Sequence, residues 1–254
     1  MSALLEVSDL SMRFGGLLAV DGVSFTMNAE EIVAIIGPNG AGKTTVFNCV
    51  SGFYHPTAGE ITLDGRRIDR LPGHRIARLG LVRTFQNIRL FRNMTAVENL
   101  LVAQHTKVQT NLIAGLIKTR DYVRKEREAL ERAVYWLGQV GLLDFANRPA
   151  GTLAYGQQRR LEIARCMVTG PRILLLDEPA AGLNPQETDE LDELLLGLRA
   201  DHAVGILLIE HDMRMVMEIS ERIVVLDQGR PLATGTPTVI QADPQVIKAY
   251  LGEA

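Results

Sequence analysis

The sequence contains few features of a secreted or membrane-spanning protein. It has only two cysteines, Cys49 and Cys166, which are far apart and lack the spacing of a metal site. This usage predicts a reducing, cytoplasmic environment in which both are small buried residues. No apolar run approaches the roughly 18 residues of a membrane-spanning helix, and Met1–Glu6 lacks the pattern of a secretion signal. We expect any role at a membrane to come through a partner.

The sequence also lacks an excess of positive charge. Its formal net charge of -3 argues against a general nucleic-acid binder. Ordinary contents of 5% aromatic and 22% charged residues argue against a disordered or fibrous chain. With 254 residues, 46% of them hydrophobic, the chain can bury one large core or two small ones.

A glycine-rich stretch after an apolar run carries the strongest chemical signal. Ile32–Ile36 predicts a buried strand, and the glycines that follow let the backbone N–H groups turn towards a phosphate at a helix start. We predict a phosphate-binding loop made of Gly37, Pro38, Asn39, Gly40, Ala41, Gly42, Lys43, Thr44 and Thr45. In that loop Lys43 would contact the β- and γ-phosphates, and the Thr44 hydroxyl would bind Mg²⁺.

The residues around this loop predict a mostly β region wrapped around a parallel core. Leu4–Val7, Val23–Met27 and Glu60–Leu63 have the composition of short strands separated by glycine-rich turns. Phe14 precedes the loop at a distance that would let its ring stack on a nucleotide base. A core aromatic explains Phe14 equally well.

Carboxylates follow a second apolar run. Ile173–Leu176 predicts a buried strand that ends at Asp177 and Glu178. Carboxylates at such a strand end are typical of a metal-binding site at the carboxyl edge of a parallel sheet. Asp177 would share Mg²⁺ with Thr44. Glu178 could orient and deprotonate an attacking water.

The next segment predicts a capped helix and a strand that ends near a histidine. The Asn-Pro-Gln-Glu stretch from Asn184 predicts a capping box before a helix over Gln186–Arg199. Val204–Ile209 predicts a buried strand, and His211 follows it on the same edge as the carboxylates. A lone histidine is usually structural, but this position favours a γ-phosphate contact.

The middle of the chain predicts a helical region. From about residue 95 to residue 141, apolar residues including Leu130 step by threes and fours, and the charges over residues 124–128 are typical of a solvated helix surface. Before this region, Leu81–Phe85 predicts a strand, and Gln86 follows directly at its end.

These motifs in this order resemble the ATP-binding subunits of ABC transporters over the whole chain. A signature stretch follows the glutamine and precedes the acidic strand, and it consists of Leu153, Ala154, Tyr155, Gly156 and Gln157. The resemblance implies an α/β fold of the P-loop NTPase class, ABC type, with a parallel-sheet core, an antiparallel β subdomain and a helical subdomain. It implies one domain over residues 1–254, with the core and β subdomain in 1–94 and 168–254 and the helical subdomain in 95–167.

The resemblance also implies roles at the nucleotide. ATP and Mg²⁺ would be bound, with Phe14 stacked on adenine and the metal held through Thr44, Asp177 and Gln86. Glu178, His211 and Gln86 would be the catalytic residues.

The same resemblance implies contacts with other chains. The signature stretch would cover ATP bound to a second ATPase subunit, and Ala180–Asn184 would cross that dimer interface. The segment Gln86–Asn99 would receive a cytoplasmic helix of a transmembrane partner, to which Gln86 would link the metal and the γ-phosphate.

Further segments resemble the LivG-type ATP-binding subunits of bacterial branched-chain amino acid importers. They are Arg13–Val20, Val46–Cys49, Leu153–Val168, Ala249–Ala254 and a long stretch around Gln104–Arg120. This likeness implies a heterodimer with a second ABC ATPase subunit, or a homodimer in isolation, on two transmembrane permease subunits. A periplasmic binding protein would take part indirectly, no nucleic acid would be bound, and the chain would lie at the cytoplasmic face of the bacterial inner membrane.

Two residues depart from the general ABC pattern. Ala154 stands where a serine is usual, so one hydroxyl contact to the γ-phosphate at the partner subunit would be missing. Because a hydrogen bond to a charged group is worth about 1.5–3 kcal/mol, and the amides around Gly156 remain, we expect a weakened but working signature. Asn184 replaces the usual aspartate of the crossing loop but can still cap a helix.

Other classes share parts of this pattern. A GTPase or a small-molecule kinase would have the phosphate loop, but neither explains the signature stretch, and the sequence has no Asn-Lys-x-Asp motif. A soluble ABC ATPase that acts on nucleic acid or ribosomes commonly has two cassettes or a long coiled coil. A transporter for another cargo, such as other amino acids, amides or lipid-linked glycans, stays open, because other chains select the cargo.

Overall fold

The structure, a computed structural model, describes residues 3–84, 88–105 and 119–251, with the side chain of Leu251 left out. The chain divides into two compact units, Met1–Gln86 with Arg172–Ala254, and Asn87–Pro171. In the described ranges, no helix combines the length and the apolar character that a membrane span requires.

The strands lie in the first unit and are β1 (Leu5–Phe14), β2 (Leu17–Met27), β3 (Ile32–Ile36), β4 (Ala58–Leu63), β5 (Arg66–Arg67), β6 (Leu81–Arg83), β7 (Ile173–Asp177), β8 (Gly205–Ile209), β9 (Arg222–Asp227) and β10 (Arg230–Gly235). The helices of the described residues are α1 (Lys43–Val50), α2 (Gly73–Arg78), α3 (Ala96–Gln104), α4 (Arg120–Gln139), α5 (Tyr155–Met167), α6 (Pro185–His202), α7 (Met213–Ile219), α8 (Pro237–Gln241) and α9 (Pro244–Leu251).

The main sheet places the ends of its central strands on one edge. Its order in the described chain is β10-β9-β3-β8-β7-β6, and the pairs from β9 to β6 are parallel, whereas β10 is antiparallel to β9. Every residue of β3, β7 and β8 is buried, which explains their uninterrupted apolar runs. The parallel-sheet core is therefore as predicted.

A second sheet is antiparallel, in the order β2-β1-β4-β5. Its first two strands are much longer than the predicted Leu4–Val7 and Val23–Met27. Register shifts interrupt the β1–β2 pairing, and Asp9 has a φ of 49°. Such bulges break the alternation of apolar and polar residues that marks a strand in a sequence, so the prediction ended β1 too early and began β2 too late.

The strand before the glutamine is shorter than predicted. β6 ends at Arg83, and Phe85 and Gln86 lie outside the described residues.

The second unit contains α3, α4 and α5. The buried residues of α4 are Ala129, Ala133, Trp136 and Leu137. Leu130, predicted on the apolar stripe, is 45% exposed, whereas the preceding Ala129 is buried. The charged face is solvated as predicted, with exposed pairs such as Arg124 with Asp121.

Local sequence signals are confirmed at the helix start and at the cysteines. The Asn184 side chain accepts from the N–H of Glu187 at 3.0 Å, and the Glu187 carboxylate accepts from the N–H of Asn184, also at 3.0 Å. This capping box starts α6, which runs beyond the predicted Arg199 to His202. Cys49 and Cys166 are buried and are not joined in a disulfide.

One buried acid on α6 has an unusual environment. Asp192 is 4% exposed, and neither carboxyl oxygen has a hydrogen-bond partner among the described residues. Burial, followed by the negative charges of Glu218, Asp212 and Glu210, raises the pKa of Asp192 from an ordinary 3.8 to about 7.

This raised pKa makes the free energy of unfolding depend on pH. The folded chain keeps the Asp192 proton up to about pH 7, whereas the unfolded chain releases it near pH 3.8, so stability falls as the pH rises through that window. We expect Asp192→Asn, which stays neutral, to raise the free energy of unfolding by about 1–3 kcal/mol at pH 8 and by less at pH 5. Urea unfolding at both pH values measures the two increments.

The matched control is Asp201→Asn, which changes an exposed aspartate of the same helix. Its increment should not grow between pH 5 and pH 8. An Asp192→Asn increment of the same size at both pH values would contradict the assigned pKa.

Candidate active site

The phosphate loop joins β3 to α1, and two glycines have backbone conformations or surroundings that exclude a side chain. Gly37 has a φ of 150°, and a Cβ there would lie 2.0 Å from the carbonyl oxygen of Leu226. Gly42 caps α1 with a φ of 94°, and a Cβ there would lie 2.7 Å from the oxygen of Ala19. The close approach of these backbone segments requires glycine at both positions.

Lys43 is buried at the start of α1, with 6% of its surface exposed. Its Nζ donates to the carbonyl oxygens of Gly37 at 2.7 Å and Pro38 at 3.0 Å. Burial lowers the pKa of Lys43 below its usual range, and the negative charges of Glu178 and Asp177 oppose that shift. The loop therefore holds its lysine against its own backbone, beside two carboxylates.

A cavity of about 470 Å³ opens at this edge of the sheet. Its lining combines predicted residues of the phosphate loop with the two side chains from the ends of β7 and β8. The lining residues are Leu17, Leu18, Ala19, Asn39, Gly40, Ala41, Gly42, Lys43, Thr44, Thr45, Glu178, His211, Gln228 and Gly229. The structure thus brings together residues that are far apart in the sequence.

Glu178 and His211 form a pair across neighbouring strand ends. Nε2 of His211 lies 3.0 Å from Oε1 of Glu178, within hydrogen-bond distance. Glu178 has a φ of 49°, a left-handed conformation that costs a side-chain-bearing residue on the order of 1–2 kcal/mol. Strain of this kind persists only where surrounding contacts hold the backbone, and it is frequent at active sites.

Asp177 is held by an arginine that the sequence analysis did not single out. Arg83 Nη2 donates to Asp177 Oδ2 at 2.7 Å, and both side chains are less than 10% exposed. Nη1 of the same guanidinium donates to Asn48 Oδ1 at 2.6 Å and to Ser51 Oγ at 3.1 Å. Arg83 therefore ties the end of β7 to the later turns of α1.

The oxygen atoms at this edge suit Mg²⁺ in type. Thr44 supplies a hydroxyl and Asp177 a carboxylate, and Mg²⁺ in nucleotide sites takes one or two such protein oxygens together with phosphate oxygens. No group of three His, Cys, Asp or Glu side chains that could hold a metal occurs among the residues the structure describes. These residues fit a metal that binds mainly with its nucleotide.

Among the described residues, Phe14 and Asp177 are predicted site residues that do not line the cavity. Phe14 is 40% exposed and is not among the lining residues; its ring meets that of Tyr54 edge to face, with centroids 5.2 Å apart. Gln86 lies outside the described residues. The signature stretch Leu153–Gln157 belongs to the other compact unit.

Within that unit, the signature stretch forms the start of α5. Ala154 occupies the N-cap position and makes no side-chain cap, although its N–H donates to Gln157 Oε1 at 3.1 Å. Gly156 lies in the first turn, as predicted for a helix start.

Sequence reasoning missed the turn between β9 and β10, whose Gln228 and Gly229 line the cavity. Gly229, in the turn between β9 and β10, donates its N–H to the oxygen of Ala41 and accepts from the N–H of Asp21 at 2.8 Å. The Asp-Gln-Gly sequence before Arg230 signals a turn. Nothing in that local signal indicates packing against a loop almost 190 residues earlier.

The buried Arg83–Asp177 pair leads to a prediction about stability. Arg83→Met removes the guanidinium and leaves the Asp177 carboxylate buried without it, so we expect the free energy of unfolding to fall by about 3–5 kcal/mol. Urea unfolding measures the loss. Arg172→Met is the matched control, since Arg172 pairs with Asp64 at 2.9 Å in an exposed position next to β7, where water screens the attraction. Equal losses in the two variants would contradict the importance of the buried pair.

Comparisons with known proteins agree with this geometry. The family profile described as "ABC transporter" matches residues 20–181, and the profile described as "Branched-chain amino acid ATP-binding cassette transporter" matches residues 230–254. The high-affinity branched-chain amino acid transport ATP-binding protein BraF of Pseudomonas aeruginosa is 67% identical over 99% of this chain and 98% of its own length. The protein LivG of Escherichia coli strain K12, described in the same words, is 63% identical over the same shares.

A solved structure has the same fold. The crystal structure of the ADP conformation of an ATP-binding cassette of an ABC transporter is 30% identical, covers all of both chains and gives a TM-score of 0.87. The predicted ABC-type α/β fold is confirmed by this likeness. The chain therefore belongs to the ATP-binding proteins of ABC transporters and, within them, to the branched-chain amino acid transport group.

Proposed function

We propose that this chain is the ATP-hydrolysing subunit of an importer of leucine, isoleucine and valine. The observation that carries the ATPase assignment is the cavity in which the phosphate loop, Glu178 and His211 meet. The cargo assignment rests on the 67% identity to a high-affinity branched-chain amino acid transport ATP-binding protein over nearly the whole chain.

The phosphate loop binds the phosphates of ATP. The N–H groups at the start of α1 and the ammonium of Lys43 face an anion, and the buried position of Lys43 strengthens its attraction because little water screens it. Phe14 stacks on the adenine ring, as its family position implies.

Thr44 and Asp177 would hold Mg²⁺, with Gln86 as a further ligand. Bound there, the ion would supply positive charge that neutralises the phosphate oxygens. Arg83 holds one oxygen of Asp177 and so fixes the orientation of the carboxylate.

Glu178 acts as the general base and His211 contacts the γ-phosphate. Glu178 orients a water in line with the γ-phosphorus and accepts its proton as the new P–O bond forms and the bond to the β-γ bridging oxygen breaks. His211, at 3.0 Å, holds the Glu178 carboxylate in place. Gln86 completes the catalytic set and links it to the membrane partner.

The complete catalytic site is formed by two ATPase subunits. Residues 1–254 act as one ABC ATPase domain, with the core and β subdomain in 1–94 and 168–254 and the helical subdomain in 95–167. The signature stretch Leu153–Gln157 covers ATP held by the second subunit, and Ala180–Asn184 crosses the interface.

The assembly is a peripheral complex at the cytoplasmic face of the bacterial inner membrane. A second ABC ATPase subunit completes the dimer, two transmembrane permease subunits carry the cargo, and Gln86–Asn99 receives their cytoplasmic helix. Closure of the dimer on ATP moves the permeases, and hydrolysis reopens it.

The catalytic assignment is tested by Glu178→Gln. The glutamine keeps the shape of the side chain but cannot accept the proton, so we expect ATP binding close to that of the parent chain, a loss of hydrolysis by more than a hundredfold, and a dimer trapped by ATP. Phosphate release and size-exclusion chromatography with ATP measure these effects. Glu193→Gln, which changes an exposed glutamate on α6, is the control and should behave like the parent. Parent-like turnover by Glu178→Gln would show that another group is the base.

The missing hydroxyl of the signature stretch leads to a second prediction. A serine in place of Ala154 adds a side-chain acceptor at the N-cap of α5, which should raise the free energy of unfolding by about 0.5–2 kcal/mol. It also restores a donor to the γ-phosphate held by the second subunit, so Ala154→Ser should raise the ATPase rate. Thermal unfolding and steady-state hydrolysis measure the two effects. An unchanged ATPase rate in a stabilised variant would argue against the γ-phosphate contact.

A further inference from the structure

Glu210 is a buried carboxylate between β8 and His211, and it has no role in the site described so far. It is 3% exposed, although it lies at the edge of the sheet where the cavity opens. Its Oε1 accepts from the N–H of Ala180 at 2.7 Å. Its Oε2 accepts from the N–H of His211 at 2.7 Å and from that of Asp212 at 3.3 Å.

These hydrogen bonds join two segments that are 30 residues apart in the chain. One carboxyl oxygen accepts from the turn that follows β7, and the other accepts from the turn that follows β8. Three backbone donors satisfy the two carboxyl oxygens, which offsets the cost of burying these polar atoms. Glu210 therefore connects the two strand ends, and we call its three hydrogen bonds, to Ala180, His211 and Asp212, the bracket.

The bond from Ala180 to Glu210 continues the hydrogen bonding between β7 and β8 past the last residue pair of the ladder. In the ladder, Asp177 is opposite Ile209, and the next N–H, that of Glu178, donates to the oxygen of Ile209 at 2.9 Å. Pro179 has no N–H to donate. The following donor, Ala180, bonds to the side chain of Glu210 instead of to backbone.

The turn held in this way carries the strained residue. Glu178 has a φ of 49°, and its turn is anchored by its own N–H on Ile209, by the Ala181 N–H on its carbonyl oxygen and by the Ala180 N–H on Glu210. The same bracket fixes the backbone of His211, whose ring lies 3.0 Å from the Glu178 carboxylate. Both members of the Glu178–His211 pair thus depend on one buried side chain.

We propose that Glu210 is a positioning residue that holds Glu178 in its left-handed conformation and sets its distance from His211. The inference rests on the proposed role of Glu178 as the general base. Both carboxyl oxygens of Glu210 accept from backbone N–H groups of the two turns, so it acts through Glu178 and His211 rather than on the nucleotide.

A carboxylate suits this position better than an amide does. Both oxygens accept hydrogen bonds, on opposite sides, from backbone N–H groups. A glutamine has one oxygen, and its NH₂ group would face one of those donors whichever way the amide turned. Glu210→Gln therefore breaks one side of the bracket with little change in volume.

The test is the kinetics of ATP hydrolysis by the full-length Glu210→Gln chain. We expect kcat to fall on the order of ten- to a hundredfold, as for a misplaced catalytic group. The KM for ATP should stay within about twofold, because a residue acting only on Glu178 and His211 changes the chemical step more than binding. Amide hydrogen exchange at Ala180 should become faster. Glu221→Gln is the matched control, because Glu221 also accepts a backbone N–H, that of Ile32 at 2.5 Å, but at the opposite end of β3.

A double variant separates positioning from general damage. If Glu210 acts through Glu178, then Glu210→Gln in a Glu178→Gln background should lower the residual rate by less than about twofold. The proposal would be overturned by a parent-like kcat for Glu210→Gln or by an equal loss of kcat in Glu221→Gln. A rise in KM for Glu210→Gln, together with a full additional loss of rate in the double variant, would also overturn it. If Glu210→Gln does not fold, Glu210→Asp keeps the charge but shortens the reach to Ala180, and the same loss confined to kcat is expected; parent-like kinetics there would overturn the proposal.

The outcomes also distinguish this inference from the proposed function. Parent-like hydrolysis by Glu178→Gln would remove the general base and with it the premise. Lost hydrolysis in Glu178→Gln together with unchanged kinetics in Glu210→Gln would leave the ATPase assignment standing and overturn the positioning role alone.

Discussion

The parallel pairing of β3, β8 and β7 controls where the phosphate loop meets Glu178 and His211 in the cavity. Parallel strands end at the same edge of a sheet, so the phosphate loop after β3 meets the residues that follow β7 and β8. All three strands are buried, and the parallel ladders that pair Ala34 with Leu208 and Asp177 with Ile209 hold their register. The chemistry of the cavity is therefore a consequence of how the core packs.

Charges at this edge are held by protein groups. Lys43 bonds to the loop carbonyls, Asp177 to Arg83, and Glu210 to backbone N–H groups. Each contact satisfies a buried ionic group and also limits the motion of a segment that carries a reactive side chain. In such a site catalysis depends mainly on positioning and on neutralising charge on the phosphates.

Local patterns predicted much of this arrangement. Apolar runs located the central strands, and the residues after them were the right candidates for the cavity, because strand endings and glycine-rich turns are encoded over a few neighbouring residues. The contacts of Arg83 and of Gly229 were missed, since each joins residues that are distant in sequence and follow no periodic pattern. Bulges likewise hid the true length of β1. The roles of Phe14, Gln86 and the signature stretch stay predictions.

The most direct test of the account is uptake of radiolabelled leucine by cells whose only copy of this chain carries Glu178→Gln. Cells with the parent chain serve as the control, and the strain should lack other leucine carriers. The account predicts loss of high-affinity uptake while the variant chain is still produced at the parent level. Unchanged uptake would contradict the assignment of this ATPase to branched-chain amino acid import.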